Sequence, residues 1–207
     1  MKSAAFILAL LCALAPSVAA KRKPKTLTQA QAPGPTLPET TAYIVQILNA
    51  DGKATGYSGG TANDSIFSSS LETLNARSSG CQIYYEMKET SSLISKGTSS
   101  FDTKTYGVAL DLASVIAGSL EGSTSIPGFP IFTDMNVHIR LEHPLVVTAH
   151  RHEDLGDPPA RDFDEQQNMS KLTLPARDWD TGSRLANALR HAIDLCGGGK
   201  ADPFRSR

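Results

Sequence analysis

A stripe near the carboxyl end constrains this chain more than any other feature. Leu185, Ala188, Leu189, Ala192, Ile193 and Cys196 recur at three- and four-residue steps, the spacing that gathers side chains on one face of an α-helix. Arg184, Asn187, Arg190, His191 and Asp194 fill the opposite face, a mixed set that reads as solvated, with Arg190 and Asp194 one turn apart and placed to pair. The stripe predicts a helix from Thr181 to Cys196, capped by Asp180 and stopped by Gly197 to Gly199. A helix with one apolar side needs a surface to cover it, so the residues upstream must supply one.

That surface reads as β-structure. Cys81, Ile83, Tyr85 and Met87 alternate with Gln82, Tyr84, Glu86 and Lys88, and period-two alternation puts the first set on the core face of a half-buried strand. Ile66 to Leu74 precedes it across a turn at Arg77 to Gly80. Thr103 to Leu112 follows, with Tyr106, Val108 and Leu110 on one face; its tail, LDLASVIAG, fits a strand or a helical turn equally well. Val137 to Leu141 and Leu145 to Ala149 read as a strand pair around a turn at His143-Pro144. An acidic, proline-containing loop is expected between Glu153 and Gln167, and a last short strand at Leu172 and Leu174. Ahead of all these, Thr36 and Glu39 fit a capping box with Pro38 in the first turn. Leu37, Ile44, Ile47 and Leu48 then share a helical face that ends at Asn49 to Gly52. Residues 52–63, GKATGYSGGTAN, read as a glycine-rich connector. The expected fold class is therefore α+β: a curved antiparallel sheet or partly open barrel, a short N-terminal helix and a C-terminal amphipathic helix.

The amino terminus carries a different signal. Lys2, the apolar run Phe6 to Ala15 and the small residues Val18-Ala19-Ala20 have the order of a cleavable secretion signal. The run is about ten residues, half of what a bilayer span needs, and Leu11 before Cys12 is too large for a lipidation site. The expected partition is a signal peptide at 1–20, a flexible linker at 21–36, a helix and connector at 37–63, the β-domain with its terminal helix at 64–198 and a disordered tail at 199–207. Loss of Lys2 takes the net charge from −1 to −2, which argues against a nucleic-acid partner; the start Lys21-Arg22-Lys23-Pro24-Lys25 reads as a solvated leader. No transmembrane segment is expected after cleavage.

The ending LANALRHAIDLCGG, with GCQIYYEMKE upstream, resembles a recurring group of often exported bacterial domains whose function is unassigned. The strand pattern with its terminal helix also resembles the pleckstrin-homology-like superfold. The resemblance covers about residues 64–198 and implies a binding or scaffolding role without naming a ligand. The Gly/Pro-rich insert at Ser123 to Pro130 and the acidic loop exceed what a minimal version needs. Cys12 leaves with the signal, so Cys81 and Cys196 remain. An oxidising compartment, and positions on the core faces of strand and helix, favour a bridge between them; two buried thiols are the alternative.

Candidate chemistry is sparse. Gly56-Tyr57-Ser58-Gly59-Gly60 matches the nucleophile elbow of α/β-hydrolases, which needs a strained strand-to-helix turn that exposes the Ser hydroxyl; here a helix precedes the motif, and a glycine loop explains the same letters. His150 and His152 share a strand face and, with Asp154, His138 or His143, make a conceivable zinc set; an edge strand's polar face explains them too. Asp154, Asp157, Asp162, Asp164 and Glu165 lack the spacing of a calcium loop and the supporting cleft of a glycosidase pair. Asn63 and Asn168 stand in glycosylation acceptor sequences. The reading is a secreted or periplasmic, non-enzymatic binding or scaffolding module without a cofactor, its partner an unknown protein or envelope component. The alternative is a small exported hydrolase or metal-binding protein that uses Ser58 or the His150/His152 pair.

Overall fold

The computed structural model describes residues 34–60, 65–96, 98–116, 120–123, 135–156 and 159–198. The expected signal peptide, most of the linker, Asn63, Asp157, the insert beyond Ser123 and the tail lie outside the described residues. Helix α1 spans Leu37–Asp51. It is followed by β1 (Lys53–Gly60), β2 (Ser65–Ser79), β3 (Gln82–Ser95), β4 (Thr98–Asp111), a 3-10 turn (Leu112–Ser114), β5 (Glu121–Ser123), β6 (Met135–Asp154), β7 (Arg161–Ala176) and α2 (Trp179–Leu195). The fold is α+β, as the periodicities imply.

The seven strands of the described residues join one antiparallel sheet in the order β1-β2-β3-β4-β6, with β5 and β7 both paired to the twenty-residue β6. β2 and β7 stand far apart in that order yet line one cleft together. The sheet must therefore curl, as long twisted sheets do. Because β1 and β7 do not pair, it stays open rather than closing into a barrel. The helices cover the apolar part of its core-facing side: Ile44 and Leu48 of α1, Leu185, Leu189 and Ile193 of α2, and Ile83, Met87, Leu110, Val137, Ile139, Leu172 and Leu174 of the strands form a single buried cluster.

Local chemistry fixes each helix. Glu39 accepts from the Thr36 N–H and hydroxyl, both at 2.8 Å, and opens α1. At its other end Asn49 grips both backbone groups of Ala76 (Nδ2 to O 2.9 Å, N to Oδ1 2.8 Å) where β2 bulges between Leu74 and Arg77. The buried Thr73 hydroxyl donates to the Leu48 carbonyl at 2.6 Å. A Cβ on Gly52 would overlap that hydroxyl and the Leu48 carbonyl, so glycine is required there. Asp178, not Asp180, caps α2: its Oδ1 accepts from the Thr181 N–H at 2.7 Å. The earlier start follows from the β7 exit, which leaves Asp178 extended and Trp179 as the first helical residue. Gly197, at φ 74, lets the Gly197 and Gly198 amides turn back to the Asp194 and Ile193 carbonyls and close the helix. Cys81 and Cys196 are joined by a disulfide, their Cα atoms 5.7 Å apart. The tie runs from the β2–β3 turn, one residue before β3, to the end of α2.

Four expectations need correction. The connector at 52–63 is mostly β1, its Lys53 to Gly60 paired with Glu72 back to Ser65; an edge strand tolerates glycines that a central strand would not. Val137 to Leu141 and Leu145 to Ala149 are one strand, not a hairpin. Pro144 falls in the register break of β6 against β7, between Arg140 and Leu145, where no ladder donor is required. The acidic loop is largely the start of β7, whose carboxylates face basic residues of β6. The last strand is accordingly sixteen residues, not short. The ambiguous tail of β4 is a 3-10 turn capped by Asp111.

Two outcomes follow. The bridge closes a loop with a sequence separation of 115, so replacing both cysteines by serine lowers unfolding free energy by about 2–5 kcal/mol in urea titration; an unchanged midpoint would show that the tie constrains nothing. The caps set an acid limb. Backbone hydrogen bonding holds the Glu39 and Asp178 carboxyls below their ordinary range, from Thr36 and Thr181 respectively. A carboxyl lowered by folding stabilises above its unfolded value and loses that effect as pH falls through its folded one. Asp178→Asn keeps an acceptor without the charge, so the drop in melting temperature between pH 7 and pH 2 becomes smaller than in the parent chain.

Candidate functional site

Beyond Met87 the core-facing side of the sheet changes chemistry while keeping its parity. On β3, Ile83, Tyr85 and Met87 give way to Glu89 and Ser91; on β4, Leu110, Val108 and Tyr106 give way to Lys104 and Asp102. Residues two apart on a strand share a face, so the surface that is apolar beneath the helices turns polar further along. A cleft of about 310 Å³ opens there, between these residues, Ser69 and Leu71 of β2, Asn136 and His138 of β6 and Thr173 of β7.

Most of its charges are already matched. The Lys104 ammonium lies 3.1 Å from Glu165. Arg151 donates to both oxygens of Asp102 at 3.0 Å and reaches Glu153 at 2.7 Å, and these bonds to Asp102 hold its guanidinium firmly protonated. Arg161 meets the buried Glu153 at 2.6 Å, and both guanidinium groups pack on Phe163, 5.6 and 5.4 Å from the ring centre. Glu89 differs. One oxygen accepts from the Tyr106 hydroxyl at 2.7 Å, and among the described residues no cation lies within 4 Å of it. Burial first, and the Glu89 charge second, push the Tyr106 phenol far up from its ordinary value, so it stays a neutral donor.

Two polar atoms of the lining are buried with nothing bonded to them: the Ser69 hydroxyl oxygen and the Asn136 amide oxygen. Asn136 is only 3 % exposed. An unanswered buried group of this kind costs about 1–3 kcal/mol, and folded chains rarely tolerate one. A third such atom, the Tyr85 hydroxyl, does not line the cleft. Beside Asn136 on the same face of β6, His138 Nδ1 sits 3.1 Å from the Thr173 hydroxyl.

The residues singled out from the sequence lie mostly elsewhere. Ser58 is inside β1, opposite Phe67, and a strand interior offers no elbow. His150 and His152 share a face of β6, and each meets a carboxylate of β7: His150 Nδ1 to Asp164 at 3.0 Å and His152 Nδ1 to Asp162 at 2.8 Å. Asp154 turns instead to the Gly156 N–H, and His143 is exposed. Among the described residues no three ligating side chains converge on a metal-sized point. Asn168 is exposed on β7. On α2, Arg184 pairs with Asp180 at 3.2 Å and Arg190 turns to Asn187 at 2.9 Å rather than to Asp194. Of the sequence candidates, only His138 reaches the cleft. Asn136, Glu89, Asp102, Lys104 and Ser69 were missed; the polar continuation of the Cys81–Met87 parity into Glu89 and Ser91 was the available signal.

No protein-family model, curated protein or solved structure matches this chain. No described helix is long and apolar enough to cross a membrane.

The wall of the cleft depends on Arg151. Replacing Arg151 by Met strands Asp102, while Glu153 keeps Arg161, and lowers stability by about 2 kcal/mol in chemical denaturation. Arg151→Lys, which keeps the charge but loses the fork, falls between the two. A change below about 0.5 kcal/mol would show that the network behaves as exposed surface pairs do.

Proposed function

We propose that the chain is an exported, non-enzymatic binding module that seats a small polar ligand in the cleft between β2, β3, β4, β6 and β7. The observation that carries this reading is Asn136: a side chain almost wholly buried, aimed into the cavity, whose amide oxygen accepts nothing. A purely structural position would favour an apolar residue there, whereas a seat for a donor-bearing ligand needs the acceptor. The Cys81–Cys196 disulfide is compatible with an extracellular or periplasmic location, and the Lys2 to Ala20 segment supports export. The likeness to the pleckstrin-homology-like superfold belongs to the same proposal, supported by a curved antiparallel sheet that carries its helix at the carboxyl end.

Asn136→Leu is the test. With the orphaned oxygen removed, the variant is as stable as the parent or more so by about 1 kcal/mol, yet it loses every small-molecule thermal shift that the parent shows in a library screen. Tyr85→Phe, which removes an orphan outside the cleft, keeps those shifts. If Asn136→Leu destabilises the chain and leaves the shifts intact, the amide is structural and the reading fails. The mass of the exported chain serves as a second check: it begins at Lys21 and gains two hydrogens on reduction.

A further inference from the structure

We propose that the ligand of this cleft carries an ammonium group, which docks on the Glu89 carboxylate while a second donor on the same molecule answers the Asn136 amide oxygen. This rests on reading the cleft as a ligand seat and names the chemistry that the seat selects.

Charge is the first argument. The cleft and its wall hold three cations, Lys104, Arg151 and Arg161, and four carboxylates, Glu89, Asp102, Glu153 and Glu165. Every cation is engaged: Arg151 by Asp102 and Glu153, Arg161 by Glu153, and Lys104 by Glu165. Lys104 stands directly opposite Glu89 in the β3–β4 register, the natural place for a cross-strand pair. Its ammonium nevertheless lies on Glu165. Glu89 is the carboxylate left over, and an anionic ligand would be repelled where a cation is attracted.

Hydrogen-bond polarity is the second. An ionised carboxylate and an amide oxygen only accept. Tyr106 occupies one Glu89 oxygen and, as a neutral phenol, holds the group in place; among the described residues the second oxygen receives no donor. Asn136 Oδ1 is buried and also unanswered, and the Ser69 hydroxyl, buried likewise, can take either role. A ligand that satisfies the set must therefore donate at two points. Size is the third. A volume of about 310 Å³ is at the low end for ligand pockets, which suits a molecule with a short carbon chain against Leu71 rather than a polymer.

Three two-carbon probes of similar size separate the possibilities: ethanolamine, ethylene glycol and glycolate, each with one hydroxyl and an ammonium, a second hydroxyl or a carboxylate at the other end. In nitrogen-15 NMR titrations of the mature chain, ethanolamine shifts the Ser69, Glu89 and Asn136 amides saturably. Glu89→Gln weakens it by about tenfold, the loss expected for one charge-assisted hydrogen bond. On the unaltered chain, ethanolamine affinity falls as salt rises from about 0.02 to 0.5 M, a readout that no folding defect can imitate. If ethylene glycol or glycolate shifts the same amides as strongly, and Glu89→Gln changes nothing, the ammonium assignment is overturned while the seat stands. If none of the three moves Ser69, Glu89 or Asn136, both fail.

Discussion

Leu185, Leu189 and Ile193 must be kept from water, and no single element does it. They are shut in by α1, by the first half of β6, by β7 and by the 3-10 turn after β4. Removing that stripe from solvent is worth about 1.5–3 kcal/mol for each large side chain, and it is what gives the curled sheet a lid. Both helices therefore sit at the same region of the sheet, which leaves the remainder of the curved face uncovered. The cleft forms where the uncovered stretch of β2, β3 and β4 meets Asn136, His138 and Thr173, which alternate with the core residues of β6 and β7. Its location follows from how far two short helices can reach along strands of fourteen to twenty residues.

An uncovered concave face has to manage water, and the side chains change accordingly. Where the helices end, the row Ile83, Tyr85, Met87 continues as Glu89 and Ser91, and charged pairs replace methyl groups. Such pairs are poor contributors to stability when half-buried, because desolvation opposes their attraction. The network around Arg151 is better explained as a way of holding carboxylates and cations in fixed directions at the edge of a cavity. Asn136 and Ser69 then mark the places where that arrangement stops short.

Much of the architecture was legible because two periods are unmistakable. The 3.6-residue stripe from Leu185 to Cys196 and the alternation from Cys81 to Met87 identified the helix, the strand and the faces on which their cysteines meet. Errors arose where local signals compete with long-range pairing. Gly56, Gly59 and Gly60 read as a loop, but strand formation at an edge is decided by the neighbour, here Ser65 to Glu72, rather than by propensity. Pro144 read as a turn, yet a bulge accommodates it. Asp162, Asp164 and Glu165 read as solvated loop acids because their partners, His152, His150 and Lys104, are distant in the chain or share its charge balance only after pairing. The cleft was least legible for the same reason: its residues come from five strands, and no short motif joins Ser69, Glu89, Asn136 and Thr173.

The covalent link between residues 81 and 196 has a topological consequence. It encloses β3 through α2 in one ring that includes every strand of the cleft except β2. A protease that severs one peptide bond inside that ring opens the circle but releases nothing, because both halves stay joined through sulfur. Such a nicked molecule keeps its parts at high local concentration, so a domain of this kind can survive in a protease-rich surrounding with its cavity walls still assembled.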